Sequence, residues 1–364
     1  MAYTTIDDPS KYFDVTLWTG DGGARTITGL NHKPDLIWTK PRNKTYNHMW
    51  SDSSRGFNAN SELGSNSTAA EGGLSAETYG YKSGHTSDGW TMVDGTDTSD
   101  NQEDGNTNEP NVNYVGWTWA ANGGTRTTNT ESGNNPGGGY QANTTAGFSI
   151  VDYTGTGAAG TMAHGLGAVP HCIIFKARAG TENWPVYHIS TGNTHACDLN
   201  RTVAKIDNDT LFNDTTPTSS VFTVNSDSAI NADGVNYIAY CFTSIQGYSK
   251  FGTYTGNAND DGPFLYTGFK PKFAIFKASS ASGEGWAIRD SARDPFNQMS
   301  GKISANVSAA EGTTADDNDC DFLSNGIKLR SNDNQMNKTG TTFIYIAFAE
   351  HPFVSSKGVP CTAR

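Results

Sequence analysis

Short apolar runs of about four to seven residues recur along the whole chain, separated by stretches rich in Gly, Asn, Asp, Ser and Thr. Valine, isoleucine and aromatic residues dominate these runs, and some of them alternate apolar with polar positions. Both patterns are typical of β-strands joined by turns, whereas long amphipathic helices are hard to find. The chain is therefore predicted to be almost entirely β.

The runs recur in a fixed order that indicates an internal repeat. Each copy opens with an aromatic residue followed by Thr and Gly, and the aromatic residues are Trp18, Tyr153 and Tyr254. A strand then runs from proline to lysine with the same spacing in each copy. The three strands are PDLIWTK (Pro34 to Lys40), PHCIIFK (Pro170 to Lys176) and PKFAIFK (Pro271 to Lys277).

Further landmarks follow in each copy. The next strands are HMWSD, WPVYH and WAIRD, and the first and third copies continue as DSSR and DSAR, then as NSTAAEG and NVSAAEG. The final strands are YVGWTW, YIAYCF and YIAFAE, which begin at Tyr114, Tyr237 and Tyr345. About six or more strands in a unit of roughly 100 residues predict three tandem β-sandwich, jelly-roll-like modules.

These landmarks divide the chain into six parts. The predicted parts are an N-terminal docking arm (1–12), a first β-module (13–121), a Gly/Thr/Asn-rich linker (122–146), a second β-module (147–246), a third β-module (247–352) and a C-terminal tail (353–364). The composition of the linker predicts a flexible or surface-draped segment. The second and third modules follow each other closely and are expected to pack stiffly.

Composition excludes several classes of function. Lys and Arg number 25 against 37 Asp and Glu, and the net charge of −12 disfavours sequence-independent binding to nucleic acid or anionic lipid. The five cysteines are widely spaced and never form a CxxC pair, so free thiols are predicted. No stretch approaches the ~20 apolar residues of a membrane span. The beginning of the chain lacks a secretory signal pattern, so we expect no Sec export.

Neither of the two best histidine candidates for catalysis recurs in the repeat. A catalytic site would need a nucleophile with a base, or two carboxylates facing a cleft. The equivalent positions hold Thr for one histidine and Asp for the other, the sets being His164 with Thr28 and Thr267, and His188 with Asp52 and Asp290. Polar roles in turns and at strand ends are therefore favoured, and no catalytic residue is predicted.

The eight tryptophans could stack on sugar rings, as aromatic side chains do in many carbohydrate-binding sites. Their equivalent positions, however, keep an apolar residue without a fixed aromatic chemistry. The matched sets are Trp38 with Phe175 and Phe276, Trp90 with Phe222 and Ile327, and Trp117 with Tyr240 and Phe348. Packing in the core is the favoured interpretation.

Three acidic segments carry oxygen donors that could bind Ca²⁺, and they are Asp94 to Glu109, Asn257 to Asp261 and Asp316 to Asp321. None has the full spacing of an EF-hand, so solvated acidic loops are favoured. The Gly-rich runs also lack the GxxxxGK[ST] pattern of a phosphate-binding loop. We predict no metal site and no cofactor.

Recurring polar residues are interpreted as parts of the framework. Salt bridges or turn hydrogen bonds, rather than partner contacts, are predicted for Lys40, Lys176 and Lys277 and for the DSSR and DSAR motifs. Residues unique to one unit are better candidates for recognition, because differences between modules accumulate where loops meet partners. The longest such departure lies in the first unit between Gly72 and Val112, and no single residue in it is identified.

Three segments resemble a known class of proteins. The segments Ala142 to Arg178 and Phe13 to Arg42, with the opening MAYTTIDDPSKYF, are similar to repeat modules of marine bacteriophage structural proteins of the tail-fibre-like type. The resemblance implies a virion component assembled in the host cytoplasm, and it supplies no active-site motif. It implies a surface appendage subunit involved in host attachment, which contacts other virion proteins and copies of itself as a homo-oligomer.

Alternatives to the tail-fibre interpretation stay open at this point. A capsid decoration or head-fibre protein would have the same composition, and a carbohydrate-cleaving appendage enzyme is a third hypothesis from another class. A host-surface glycan or receptor is a further partner that the sequence neither requires nor excludes.

Overall fold

Antiparallel strands build almost the whole fold. The structure is a computed structural model that describes residues 2–97, 105–312 and 319–362. Strand accounts for 41% and helix for 5%, and every pairing between described strands is antiparallel. Among the described residues, no helix has the length and apolar character needed to cross a membrane. The predicted all-β, sandwich-type class is confirmed.

The first unit follows a 3-10 turn at Pro9–Lys11. Its elements are β1 (Phe13–Thr19), β2 (Arg25–Ile27), β3 (Leu36–Pro41), β4 (Met49–Asp52), α1 (Ala76–Tyr79), β5 (Tyr81–Thr86), β6 (Gly89–Val93) and β7 (Asn113–Trp119). The strands form a large sheet in the order β1-β7-β3-β4 and a small sheet in the order β2-β6-β5.

The second unit is preceded by β8 (Thr127–Asn129) and β9 (Gly137–Asn143). Its own elements are β10 (Phe148–Thr154), β11 (Gly160–Ala163), β12 (Cys172–Ala177), β13 (Pro185–His188), β14 (His195–Asp198), β15 (Ile206–Asp207), α2 (Asp209–Phe212), β16 (Val221–Val224), α3 (Ser228–Asn231) and β17 (Asn236–Phe242). The large sheet has the order β15-β14-β13-β12-β17-β10-β9-β8, and β11 pairs with β16 in the small sheet.

The third unit completes the chain. Its elements are β18 (Ser249–Thr255), β19 (Phe264–Tyr266), β20 (Phe269–Ala278), β21 (Trp286–Asp290), β22 (Ile303–Ser304), β23 (Cys320–Leu323), β24 (Gly326–Leu329), α4 (Asn334–Asn337) and β25 (Thr342–Pro352). The large sheet has the order β18-β25-β20-β21-β22 and the small sheet the order β19-β24-β23.

The same strand order and register recur in all three large sheets. In each, the second residue after the landmark proline lies between one partner on the following strand and one on the last strand of the unit. The trios are Asp52–Leu36–Trp119, His188–Cys172–Phe242 and Asp290–Phe273–Phe348. The spacing that aligned the three proline-to-lysine strands therefore corresponds to equivalent positions in space.

The register corrects the predicted equivalents of Trp38. Counted from the landmark proline, Trp38 corresponds to Ile174 and Ile275, and not to Phe175 and Phe276. Trp38 pairs with the last strand of its unit, as do both isoleucines at the same step of their ladders. The interpretation as a core residue is unaffected, because Trp38 is buried.

The register also shifts the last strand of the third unit by two residues. Trp117 corresponds to Tyr240 and to Ile346, and not to Phe348, since these residues pair with equivalent positions of the proline-to-lysine strands. Strand β25 reads FIYIAF from Phe343, so an aromatic residue followed by isoleucine occurs twice, two positions apart. A shift of two leaves every side chain on the same face, which is why the apolar pattern could not reveal it.

The Gly of the aromatic-Thr-Gly landmark is required by close packing of two backbones. In each unit the end of the first strand lies against the segment that leads into the last strand. A Cβ atom at this Gly would lie 2.0 to 2.3 Å from a carbonyl oxygen, the pairs being Gly20 with Glu109 O, Gly155 with Ala232 O and Gly256 with Lys338 O. No other residue fits this contact without moving the backbone.

One face of each large sheet packs into a core that all three units share. In β3, Leu36 and Trp38 belong to this shared core, whereas Ile37 between them packs between the two sheets of its own unit. The same alternation occurs in β12 and β20. Because both faces of these strands are buried, they read as continuous apolar runs. The chain is a set of three sandwiches around one core.

Three equivalent aromatic rings meet at the centre of the shared core. The ring centroids of Trp119 and Phe242 are 6.2 Å apart, those of Phe242 and Phe348 5.8 Å, and those of Trp119 and Phe348 5.6 Å. All three pairs are edge-to-face, an arrangement that contributes about 0.5–1.5 kcal/mol per pair beyond burial. The near-equal triangle places an approximate threefold axis through the molecule.

The segment 122–146 is not a flexible linker. Strand β9 pairs with β10 over its whole length, and β8 pairs with β9. The buried side chain of Gln141 donates from Nε2 to Ser53 Oγ and Ser54 Oγ of the first unit, both at 2.7 Å. The open edge of β10 offers backbone hydrogen bonds that outweigh a turn-like composition, since strand formation depends strongly on tertiary context.

The N-terminal segment, predicted as a docking arm, packs against the body of the protein. Ile6 lies in the shared core, and Thr4 Oγ1 donates to Gln246 O at 2.8 Å. The C-terminal segment meets it, because Ser356 N donates to Asp7 Oδ1 at 2.6 Å. Both predicted extensions therefore pack against the body, since each brings apolar or hydrogen-bonding groups that the body satisfies.

Candidate functional site

The boundary between the first and second units contains a buried charge network. Arg55 Nε lies 2.5 Å from Asp52 Oδ2, and Arg55 Nη1 lies 3.0 Å from Glu71 Oε1. The other oxygen of Glu71 binds Arg178 of the second unit at 2.8 Å. Tyr240, also from the second unit, donates its hydroxyl to Asp52 Oδ2 at 2.8 Å. The DSSR motif therefore joins the first and second units through buried ion pairs and a hydrogen bond.

The same network recurs between the third and first units. Arg293 lies 2.5 Å from both Asp290 Oδ2 and Glu311 Oε1, and Arg42 of the first unit lies 2.7 Å from Glu311 Oε2. Trp117 of the first unit donates its indole N–H to Asp290 Oδ2 at 3.0 Å. The DSAR motif therefore has the role of DSSR, as the framework interpretation predicts.

The third boundary, between the second and third units, is built without this network. His188 and Thr191 occupy the positions that the aspartate and arginine of the DSSR and DSAR motifs have in the other units. Ser279 of the third unit occupies the position of Arg42. His188 Nε2 lies 3.3 Å from Tyr345 O, and Lys205 N donates to Ser279 O at 2.8 Å. Burial lowers the pKa of His188 to about 4, so the ring is neutral at physiological pH.

Both histidines that were weighed for catalysis have structural hydrogen bonds. His164 accepts from Leu166 N at Nδ1 at 3.2 Å, and its Nε2 lies 3.2 Å from Thr218 O. His188 accepts from Ser190 N at Nδ1 at 3.1 Å, in addition to its contact with Tyr345. In each ring both nitrogens are used to hold a turn or a strand end.

A ring of cross-unit hydrogen bonds starts from one equivalent position in each unit. His48, Trp184 and Trp286 occupy this position, and each uses a side-chain nitrogen to reach a carbonyl oxygen of a neighbouring unit. The contacts are His48 Nε2 with Ser304 O at 3.1 Å, Trp184 Nε1 with Ser67 O at 3.0 Å and Trp286 Nε1 with Asp198 O at 2.8 Å. Sequence spacing aligned these residues but could not show that they cross the boundaries.

The three recurring lysines are buried and hold loops in place. Each ammonium group donates to a carbonyl oxygen in the loop after its own strand. The bonds are Lys40 Nζ to Lys44 O at 3.1 Å, Lys176 Nζ to Glu182 O at 2.7 Å and Lys277 Nζ to Glu284 O at 2.6 Å. Burial lowers the pKa of Lys40 to about 7 and those of Lys176 and Lys277 to about 8. Turn hydrogen bonds, rather than salt bridges, are their role.

Replacing Lys40 with Met should change the pH dependence of stability. The folded-state pKa is depressed, so between about pH 7 and the ordinary value of 10.5 the unfolded chain binds more protons. The contribution of Lys40 to stability therefore rises with pH in this window, by up to about 1.4 kcal/mol per pH unit, and is flat below it. Urea unfolding of both proteins at several pH values measures this difference.

The matched control is Lys11→Met, which removes an exposed lysine. We expect the gap in free energy of unfolding between wild type and Lys40→Met to widen in favour of wild type from pH 7 to pH 10. The gap between wild type and Lys11→Met should show no such trend. Parallel curves for wild type and Lys40→Met would contradict the burial of a depressed amine.

Two of the three acidic segments are only partly described. Residues 98–104 and 313–318, within or next to two of them, lie outside the described residues. In the fully described segment, Asp261 Oδ1 lies 2.6 Å from Lys328 Nζ. No group of three or more His, Cys, Asp and Glu side chains in the described part of the chain could hold a metal ion.

A polar cleft of about 500 Å³ opens on the first unit. Two tyrosines, two asparagines and two serines line it, namely Tyr46, Tyr79, Asn47, Asn106, Ser67 and Ser75. We call this site the first-unit cleft. Its inner wall is the loop between β3 and β4, and its outer wall is the segment around α1.

The outer wall belongs to the departure that the sequence singled out between Gly72 and Val112. Backbone hydrogen bonds hold this segment together, with Tyr79 N donating to Ser75 O at 3.1 Å and Asn106 N donating to Tyr79 O at 2.9 Å. In the inner wall, Tyr46 forms a hydrogen bond with the Glu109 carboxylate. Burial together with this bond raises the pKa of Tyr46 to about 12. Both walls are thus fixed by the fold.

A family comparison covers nearly all of this architecture. The sequence model of a family described as a domain of unknown function, DUF7483, matches residues 8–352. The chain belongs to this family. No curated protein and no solved structure matches this chain. Because the match spans all three units and their boundaries, the DUF7483 domain is the whole three-unit body and not one repeat.

The equivalent place in the second unit of this DUF7483 domain is a smaller cavity of about 200 Å³. Its polar side chains bond to one another. Asn183, the equivalent of Asn47, accepts from Asn200 Nδ2 at 2.9 Å, and Asn208 Nδ2 donates to Asp227 Oδ2 at 2.9 Å. This cavity therefore differs from the first-unit cleft in its smaller volume and in the charged side chains that line it, Asp227 among them.

In the third unit the equivalent place is filled. Gly285 stands where Asn47 and Asn183 stand in the other units, and a Cβ atom there would lie 3.1 Å from Gln335 Nε2. Gln335 Nε2 donates to Ser304 Oγ at 2.8 Å, which fixes the amide in this space. Of the three equivalent places, the first unit has the most open one.

Sequence reasoning located the outer wall of the cleft but missed its inner wall. Tyr46 and Asn47 lie in a short loop that the repeat landmarks skip. A signal was present, because Tyr46 stands where the other DUF7483 units have Glu182 and Glu284. An aromatic residue in place of an acidic one at a loop position marks a difference between units.

Proposed function

We propose that this protein is a bacteriophage virion structural protein, a tail-fibre-like surface subunit that takes part in host attachment. The proposal draws on the resemblance of residues 13–42 and 142–178 to phage structural modules. The observation that carries it is the closure of three units around one aromatic core. A rigid body of this kind presents loops at fixed positions, which is what a surface subunit requires.

The contacts at the boundaries between units favour a rigid structural role for the protein. Ion pairs, indole hydrogen bonds and aromatic contacts all cross these boundaries. The side chains of the central ion pairs are buried, namely those of Arg55, Asp52, Arg293 and Asp290. Groups of this kind stay paired because separating them would leave buried charges uncompensated. The net charge of −12 favours solubility and disfavours non-specific association between particles.

A capsid decoration or head-fibre protein is the second candidate. The specific observation in its favour is the compact arrangement, since three units in a row would make a spacer and three units around an axis make a knob. Both candidates place the protein on the outside of the particle and share the same experiment.

Immunogold labelling of intact particles tests the proposal. Antibodies against the purified chain should label particles from cells that express its gene, at the tail for the first candidate and at the head for the second. Mass spectrometry of the same purified particles provides an independent readout. Particles that carry neither label nor peptides of the chain would contradict the proposal.

A further inference from the structure

We propose that the first-unit cleft binds a neutral saccharide, with Tyr79, Asn47 and Ser75 as contact residues. The inference deepens the proposed function, on which it rests for its biological meaning, by naming the ligand class and the binding site.

Unused hydrogen-bonding groups line the cleft. Asn47 Oδ1 accepts from Asn66 Nδ2 at 2.8 Å, which leaves Asn47 Nδ2 without a protein partner in the described part of the chain. The hydroxyls of Tyr79, Ser75 and Thr45 likewise have no hydrogen-bond partner among the described residues that line the site. Donors and acceptors of this density match a molecule with many hydroxyl groups.

Aromatic and apolar surface is available beside these groups. The rings of Tyr46 and Tyr79 and the side chain of Leu74 line the same cleft. A pyranose has one face of C–H groups and a rim of hydroxyls, so it needs an apolar surface next to polar groups. The first-unit cleft provides both.

The charge around the cleft indicates a neutral ligand. None of the described residues that line it has a charged side chain. The Glu109 carboxylate, which bonds to Tyr46, lies 3.3 Å from Lys44 Nζ, so the two charges offset each other. A phosphate or a carboxylated sugar would find no counter-ion in the lining.

The other two units act as internal controls. In the second unit the equivalent cavity is about 200 Å³ and is lined by charged side chains, with Arg201 Nη1 3.1 Å from Asp198 Oδ2. In the third unit Gln335 fills the place. The first-unit cleft, at about 500 Å³, falls in the range of ~300–1,000 Å³ that is usual for small-molecule sites.

Saturation-transfer difference NMR on the full chain tests the inference. The probes are the methyl glycosides of glucose, galactose, mannose and N-acetylglucosamine at millimolar concentration, with glucuronic acid and N-acetylneuraminic acid as charged comparisons. We expect transfer to the ring protons of at least one glycoside with the wild type. Tyr79→Ala should weaken binding by about tenfold or more, through the loss of one aromatic face and one hydroxyl.

Matched variants separate binding from folding. Tyr79→Phe keeps the ring and loses the hydroxyl, so it should weaken binding less than Tyr79→Ala. Asn47→Ala should weaken binding, whereas Asn183→Ala at the equivalent position of the second unit and Tyr266→Ala on an exposed strand should not. Melting temperatures of all variants report whether each has folded.

The outcomes decide the inference without ambiguity. Absence of transfer from every glycoside, or equal transfer with wild type and Tyr79→Ala, would overturn it. Transfer only from glucuronic acid or N-acetylneuraminic acid would overturn the neutral class. Particles that carry the protein but show no saccharide binding would overturn this inference alone, and saccharide binding by a protein absent from particles would overturn only the proposed function.

Discussion

Replacing Trp286 with Ala will lower the free energy of unfolding by about 3–5 kcal/mol, the usual cost of truncating a buried aromatic side chain. Trp286 is only 1% exposed and packs in the core that all three units share. Its indole N–H also bonds to Asp198 O of the second unit at 2.8 Å, so the substitution breaks a contact between units as well.

Urea unfolding followed by circular dichroism measures this loss. Because the shared core couples the units, the variant should shift one cooperative transition of the whole chain, whereas independent modules would shift one transition of several. Tyr266→Ala is the control, since Tyr266 is 54% exposed and should change stability by less than about 0.5 kcal/mol. An unchanged midpoint for Trp286→Ala would mean that the indole is exposed and would revive a role in ligand stacking.

Replacing Arg293 with Met will also destabilise the protein by about 3–5 kcal/mol, because it leaves the buried Asp290 carboxylate without a cation and Glu311 with Arg42 alone. Arg293 binds Asp290 and Glu311, both at 2.5 Å, and its side chain is 1% exposed. The hydrocarbon of Met replaces the packing of the arginine stem, so the loss comes mainly from the unpaired charges.

The second unit offers a matched control for this prediction. Thr191 occupies the position of Arg293, and its hydroxyl donates to His188 O at 2.8 Å. Thr191→Val removes one neutral hydrogen bond and should cost about 1 kcal/mol. Equal losses for Arg293→Met and Thr191→Val in the same urea titration would show that the charge network adds nothing to a neutral boundary.

The local pattern was sufficient for the strands that carry the repeat. The runs PDLIWTK, PHCIIFK and PKFAIFK predicted equivalent strands, and β3, β12 and β20 lie there in matched register. Burial of Trp90 and Trp117 also followed from the apolar residues at equivalent positions. Such positions are readable because apolar periodicity reports burial directly.

Composition was a poor guide where the partner of a segment lies far away in sequence. The Gly/Thr/Asn-rich stretch at 122–146 forms β8 and β9 because β10 has an open edge next to it. Ile6, in the predicted N-terminal docking arm, enters a core that includes residues hundreds of positions away. Neither the edge nor the core leaves a mark on the segment's own sequence.

The first-unit cleft lies between these cases. Its outer wall was indicated as the longest departure of one unit from the others. Its inner wall, at Tyr46 and Asn47, and the filling of the same place by Gln335 in the third unit became visible only in three dimensions. A cleft is a space between segments, and no single segment encodes it.

The all-β class, the recurring strand order and the burial of the apolar positions in the repeated strands followed from the amino-acid sequence alone. They did so because the alternation of side chains and the residues that turns require are local properties of the chain. The three-dimensional arrangement was needed to show that both faces of β3, β12 and β20 are buried against different partners, that the units share one core, and that one of three equivalent places stays open. An apolar residue indicates that its position is buried, but it does not indicate which surface covers it.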